Sequence, residues 1–245
     1  MQTKQDGRLG TEKIGKLMLE LALPSVLAQI VNVLYNIVDR IYIARIPGVG
    51  TTALGAVGLC FPIIVIITAF SNLFGGGGAP LFSISRGTKD NDTAQKIMNI
   101  SFTMLCICAI LIMVVGLLFA NPILTLFGAS REALVYAIPY LMIYLIGTLP
   151  SMIATGMNPF INAQGYSTIG MLSVAIGAVA NIILDPVFIF AMNLGIRGAA
   201  IATILSQFLS AAFVLYFLHN KSEFKVQFVP VKAWYECRKL AKDIT

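Results

Sequence analysis

Two aspartates, Asp39 and Asp185, lie inside long apolar stretches of the sequence, and Arg40 follows the first of them. A charged side chain near the centre of a membrane-spanning helix costs about 2.5–3.5 kcal/mol on insertion scales. Such residues usually face a cavity or a partner and mark an ion or substrate pathway. A purely structural role remains an alternative for each acid. For Asp39 the alternative is a buried pair with Arg40, unless Arg40 extends to the outer membrane surface. For Asp185 it is a hydrogen bond between helices.

Several oxygen-bearing side chains share a helix face with these acids. Asn181 and Asp185 are spaced i, i+4, and so are Tyr35 and Asp39, while Asn36 lies three residues before Asp39. Tyr35 and Asn36 are therefore candidates for lining a cavity beside the acid. Pro186, which follows Asp185, frees a backbone carbonyl about one turn earlier as a further candidate ligand.

Four helices place polar groups at a similar depth. Counting about 1.5 Å per residue puts Asp39, Tyr140, Asp185 and Thr203 about 9–12 Å below the outer ends of their helices. Carboxylate, amide and hydroxyl oxygens are the ligands that a hard cation takes, and a desolvated carboxyl group can carry a proton. The sequence thus predicts one cation-coupling site, for H⁺ or Na⁺, made by Asp39, Asn181, Asp185 and Thr203. Tyr140 is a candidate neighbour, although Tyr140 and Thr203 could equally serve helix packing.

The elements that must position these residues are membrane-spanning helices. Of the 245 residues, 58% are hydrophobic and only 11% are charged, which is too few charges to cover a water-facing surface. A span needs about 20 mostly apolar residues, and six stretches qualify. They are 17–43, 53–84, 97–119, 133–157, 169–190 and 199–218. The predicted fold is an all-α integral membrane bundle of six transmembrane helices.

The second stretch is too long for one straight span, and Gly75 to Gly78 with Pro80 interrupt it. We predict one long, bent helix there, because membrane helices tolerate such residues when neighbours satisfy the freed backbone groups. The alternative is a shorter span followed by a re-entrant stretch. No Gly-Lys-Ser/Thr follows the glycines, so they do not form a phosphate-binding loop.

Lysine and arginine are distributed unequally between the two sides of the predicted bundle. The tails and the second loop carry almost all of them, and the other side holds only Arg45, Arg131 and Arg197. Positive residues concentrate on the cytoplasmic side, so both termini are predicted to be cytoplasmic. The predicted division is a tail over 1–16, a membrane lobe over 17–219 and a cytoplasmic segment over 220–245.

Other function classes are disfavoured. The basic residues lie beside apolar stretches as an orientation signal, which argues against nucleic-acid binding. The single histidine, His219, lies at a predicted interface, and no catalytic set or nucleotide motif is present, so an enzyme is not expected. The four cysteines form no C-x-x-C pair, and we interpret them as apolar filler. No cofactor is expected beyond the coupling ion.

Several motifs in order resemble those of one transporter family. They are Leu23-Pro24, the stretch 35–39, Pro47-Gly48, and the stretches 53–58, 162–165, 181–186 and 195–203. Together they cover nearly the whole chain, which resembles the N-terminal lobe of the multidrug and toxic compound extrusion (MATE) family, within its bacterial multidrug branch.

The resemblance implies twelve spans in two six-helix lobes, with this chain as the first lobe, the start of the inter-lobe segment truncated, and the second lobe as its partner. It implies that Asp39 is the first-helix acid of cation coupling. It also implies that Asn181, Asp185 and Thr203 belong to the same site, with Tyr140 nearby.

The function hypothesis is a secondary antiporter in the bacterial plasma membrane that exports small organic cations and drugs in exchange for H⁺ or Na⁺. One alternative is a lipid-linked oligosaccharide flippase of the same superfamily, which a basic cavity would favour. Another is a membrane scaffold or channel subunit that performs no coupled transport.

Overall fold

The computed structural model describes residues 13–229, and within that range every regular element is helical. The 1–12 part of the predicted tail and residues 230–245 lie outside the described residues. The helices are α1 (Ile14–Ala44), α2 (Gly50–Gly87), α3 (Asn91–Leu126), α4 (Arg131–Ile146), α5 (Thr148–Gly156), α6 (Asn158–Ala163), α7 (Ser167–Pro186) and α8 (Ile196–Asn220). A π-helical turn, Val187–Ala191, continues α7.

The predicted membrane bundle is confirmed. Four of these helices, together with α7 and its π-helical turn counted as one, are long and apolar enough to cross a membrane. The α4 helix together with the Thr148–Ala163 stretch forms a bent pair that supplies the sixth span. Most helical segments begin earlier and end later than the stretches predicted from the sequence. The first begins at Ile14, inside the segment predicted as a tail.

The fourth span is broken, whereas the sequence predicts a single apolar span over 133–157 without marking a break in it. The chain bends by 57° between Ile146 and Thr148, and the helix breaks again around Met157. Gly147, at the bend, packs so closely on Ile204 that a side chain would not fit there. Pro159, two residues after the second break, has no N–H to continue the helical hydrogen bonds.

The glycine run of α2 lies within one continuous helix, so the re-entrant alternative is wrong. Two of its glycines permit close contact with neighbouring helices. A Cβ atom on Gly75 would collide with the backbone carbonyl of Gly156, and one on Gly78 would collide with Ser101 and Phe160. Small residues let membrane helices approach in this way, so the run serves packing rather than a loop.

The helices divide into an apolar core and a more open polar side. The α2 and α3 helices pack against each other and against α4 and α5, around fully buried side chains such as Phe82, Leu105 and Met152. The α1 helix packs mainly along α7, and α7 packs on α8. The other face of α1 exposes a row of large apolar side chains, as expected for contact with lipid or another apolar surface.

The α2–α3 loop, the α6–α7 corner and the end of α8 lie together at one end of the bundle. A hydrogen bond joins Arg86 to Ala163, and another joins Gln95 to Lys225. This end, called the inner end below, is the one that the lysine and arginine distribution predicts to be cytoplasmic.

Candidate functional site

The two intramembrane aspartates meet between α1 and α7. Their carboxyl groups lie within hydrogen-bonding reach of each other. Asp185 is completely buried, and Asp39 is partly exposed. Two ionised carboxylates repel strongly at such a range, so a shared proton or a bound cation stabilises the pair. Pro186 and the π-helical turn follow Asp185 directly, and irregular turns of this kind are frequent at functional sites.

Asn181 connects Asp185 to α8. Its side-chain amide donates to Asp185 Oδ1 at 3.2 Å and approaches Thr203 Oγ1 at 3.5 Å. The Thr203 hydroxyl donates to the Ala199 carbonyl at 2.9 Å, so its oxygen is oriented to accept from Asn181. Three helices therefore contribute to one polar cluster, which we call the acid site: Asp39, Asn181, Asp185 and Thr203.

Three oxygen atoms of the acid site are buried without a hydrogen-bond donor among the described residues. They are Asp39 Oδ1, Asn181 Oδ1 and Asp185 Oδ2. A buried acceptor that lacks a donor costs about 1–3 kcal/mol, and more when it is charged. A cation or a proton would satisfy these oxygens, and hard cations take carboxylate and amide oxygens of this kind. The residues present thus fit a small cation or proton as a transported partner.

Tyrosines surround the acid site. Tyr140 is buried and lies close enough to interact electrostatically with both Asp39 and Asp185. Its ring stacks on Tyr144, with centroids 6.2 Å apart and 20° between the ring planes. Tyr144 also lies close to Gln207 and Ser151, on α8 and α5. The structure thus brings Tyr140 to the site, as its predicted depth implied.

Asn36 does not join the acid site. Its side chain is exposed and donates to the backbone and side-chain oxygens of Asn32, at 2.7 and 2.9 Å. At about 100° per residue, Asn36 lies about 60° from Asp39, on the side away from Tyr35, so it turns off the face that Tyr35 and Asp39 share. Arg40 is also exposed, and its guanidinium lies over the Phe61 ring, 5.5 Å from the centroid.

A polar cavity of about 370 Å³ extends from the acid site towards the inner end. Tyr35, Asn181 and Thr203 line it at the acid-site end, and Asn158, Asn162 and Gly170 line it at the inner end. Its wall is rich in carboxamides and hydroxyls and contains no Asp, Glu, Lys, Arg or His among the described residues. Two of its carboxamide oxygens, Asn162 Oδ1 and Gln207 Oε1, lack a donor within the same part of the chain.

The sequence reasoning missed most of this cavity wall. The signal was available, because Asn72, Asn158 and Gln207 are uncharged polar residues inside apolar stretches. A single such residue is ambiguous, since membrane helices also use amides to bond to one another. The 57° bend at Gly147 adds to the difficulty, because it turns the Thr148–Ala163 stretch away from the axis that residue counting assumes.

The family model MatE matches residues 24–187, which include the first helix and Asp185. The chain belongs to the MatE family. The multidrug export protein MepA of Staphylococcus haemolyticus (strain JCSC1435) is 30% identical over 210 residues, which are 86% of this chain and 46% of MepA. MATE transporters of known structure have the same helix arrangement.

Two solved structures show the likeness. A MATE protein in the bent conformation is 28% identical, with a TM-score of 0.83 over 94% of this chain and 50% of that one. An outward-facing multidrug resistance MATE transporter is 28% identical, with a TM-score of 0.84 over 94% of this chain and 50% of that one. The chain therefore spans about half the length of the MATE proteins that it matches.

Proposed function

We propose that this chain forms the N-terminal lobe of a secondary antiporter that exports organic cations in exchange for H⁺ or Na⁺. The carrying observation is the acid site, in which Asp39 and Asp185 face each other and three oxygens lack donors among the described residues. A permanent structural pair would normally have its buried oxygens satisfied. Carboxylate and amide oxygens without donors are the groups that a proton or a hard cation would satisfy.

Occupancy of the acid site would bias the position of α1 relative to α7. Without a cation or proton, repulsion between Asp39 and Asp185 favours separation of the two helices. With one bound, the carboxyl groups share it and the helices approach. Since α1 has few contacts with the rest of the lobe besides α7, it is the element best placed to respond. A ligand shifts such an equilibrium by its difference in affinity for the two states.

The membrane potential supplies a second driving force. Each elementary charge that crosses the full potential gains about 2.3 kcal/mol per 100 mV. An inward-moving H⁺ or Na⁺ therefore carries free energy that the lobe can use to release its substrate outward. A carboxylate pair with an amide and a hydroxyl suits either ion, so the proposal includes both.

The cavity supports cationic rather than anionic substrates. Within residues 13–229 no Asp or Glu lines it, but the acid site adjoins one end through Asn181 and Thr203, and its wall offers carboxamide and hydroxyl oxygens as acceptors. A flippase for pyrophosphate-linked sugars would need basic groups in the wall, and the described lining has none. The named relatives are multidrug export proteins, which supports the same substrate class and a bacterial plasma-membrane location.

The proposal is tested by efflux of ethidium from bacterial cells that express the chain within a complete two-lobe transporter. Efflux should respond to an imposed Na⁺ or proton gradient and should stop when that gradient is collapsed. Export that continues unchanged after both gradients are removed would contradict antiport. Downhill flux in liposomes with no imposed ion gradient would indicate the channel alternative instead.

A further inference from the structure

Residues 221–229 follow α8 and fold back across the inner end of the lobe. We call them the inner strap. Phe224 and Val226 of the strap are buried, and Phe224 packs edge-on against Phe82 with ring centroids 4.9 Å apart. Val226 also donates its backbone N–H to the Leu218 carbonyl at 3.3 Å. The strap is thus packed into the lobe and is not a loop lying over it.

A row of three side chains on α3 binds the backbone of the strap. Gln95 donates to the Lys225 carbonyl at 2.7 Å, Asn99 Oδ1 accepts from the Gln227 N–H at 3.0 Å, and Thr103 Oγ1 accepts from the Val229 N–H at 3.1 Å. The three α3 residues are spaced i, i+4, i+8 and cover about 12 Å of helix. Four residues of extended chain cover about 13 Å, so the spacings match.

The same strap holds the corner between α6 and α7. The Ser222 hydroxyl donates to the Gln164 side-chain oxygen. Arg86 donates to the Ala163 carbonyl at 3.0 Å, lies 3.8 Å from a Glu223 carboxylate oxygen, and stacks over the Phe224 ring at 5.6 Å. The strap and Arg86 therefore bind the C-terminal end of α6, at Ala163 and Gln164.

The rest of α6 forms the inner wall of the cavity, through Asn158, Pro159 and Asn162. This helix has only six residues and lies between the break at Met157 and the turn at Gly165, where φ is +87°. Phe160 and Ile161 hold the middle of this helix in the core, so its C-terminal end at Ala163 and Gln164, where the strap and Arg86 bind, is the part that the loss of those contacts would free. Its position depends on the contacts made by its flanks.

We propose that the inner strap is a latch that keeps α6 closed over the inner end of the cavity, and that its release opens the cavity at that end. On one side, the three α3 side chains bind the backbone of the strap. On the other side, the strap binds the α6–α7 corner. It does not depend on which ion or substrate passes through the lobe. Its test therefore requires no transport, so it can fail while the antiport proposal stands, and the reverse.

The test measures how fast a cavity cysteine reacts with a membrane-impermeant maleimide. The full chain has its four cysteines replaced by alanine and carries Thr155→Cys, at an exposed cavity-lining position away from the acid site. Asn99→Ala combined with Thr103→Val removes two anchors of the strap, and Ser222→Ala removes a third. Each should accelerate labelling by about threefold or more in inside-out vesicles, because the inner end opens locally.

A matched control and a folding reporter make the result decisive. Thr125→Val removes the same kind of hydroxyl as Thr103→Val, since both donate to the carbonyl four residues earlier, but Thr125 lies near the far end of α3. It should leave labelling unchanged. Cys60 is completely buried and, kept as the only cysteine, reports unfolding. Unchanged Thr155→Cys labelling, or equal acceleration at Cys60, would overturn the latch.

Discussion

The carboxyl group of Asp39 on α1 lies within hydrogen-bonding reach of that of Asp185 on α7, although most of the lobe separates them in the sequence. Asp185 also accepts from Asn181, whereas Asp39 Oδ1 has no donor among the described residues. The pair is thus supported on one side only. Because of this asymmetry, we expect α1 to be the helix whose position responds to what occupies the site.

Replacing either aspartate by asparagine should abolish coupled export. Asp39→Asn and Asp185→Asn keep the size of the side chain but remove the charge that a cation or proton must neutralise. Ethidium efflux from cells expressing the two-lobe transporter should fall to the level of cells without it. The measurement is the initial efflux rate, corrected for the amount of protein in the membrane.

Asn36→Ala serves as the matched control for the aspartate variants, because Asn36 lies on the same helix as Asp39 but is exposed and donates to Asn32. Its efflux should equal that of the unmodified protein. If both asparagine variants also exported normally, the role proposed for the acid site would be wrong.

Asn181→Leu should weaken the response to the coupling ion without removing it. The change deletes the donor to Asp185 and an acceptor oxygen, but leaves both carboxylates. We expect the ion concentration that gives half-maximal efflux to rise about tenfold, equivalent to about 1.4 kcal/mol. Titrating efflux against Na⁺ at constant pH, and against pH without Na⁺, measures the shift and identifies the ion.

Thr203→Val should have a smaller effect than Asn181→Leu, because Asn181 approaches Thr203 at only 3.5 Å. Thr125→Val removes a comparable hydroxyl far from the site and should have none. A larger loss with Thr203→Val than with Asn181→Leu would show that the threonine contributes more directly to the bound ion than the geometry indicates.

The acid site could be placed from the sequence because charge inside a membrane span is rare and depth can be counted along a helix. Asp39, Asp185 and Thr203 therefore converged without any structure. Asn36 did not, since it lies about 100° around the helix from Tyr35 and about 60° from Asp39, at the margin of their shared face. The bend at Gly147 was also missed, because a glycine in a membrane helix more often permits close packing than a break. The functional roles of the site residues remain predictions.

The predicted orientation can be tested with single cysteines at opposite ends of the bundle. Thr88 is exposed in the loop between α2 and α3, and Arg131 is exposed at the start of α4. In a chain without other cysteines, Thr88→Cys should react with an impermeant maleimide only in inside-out vesicles. Arg131→Cys should react only in intact cells. The reverse pattern would contradict the cytoplasmic placement of the inner end.

The glycine run of α2 contains its own control for helix packing. Gly75→Ala should destabilise the lobe by about 1–3 kcal/mol, because the added methyl group meets the backbone of Gly156, which cannot turn aside. Gly78→Ala should cost less, since it meets the side chains of Ser101 and Phe160. Gly76→Ala should be neutral, because nothing lies within 4 Å of the added atom. Thermal unfolding in detergent should show that order, and equal shifts for all three would mean that helix propensity rather than contact governs the run.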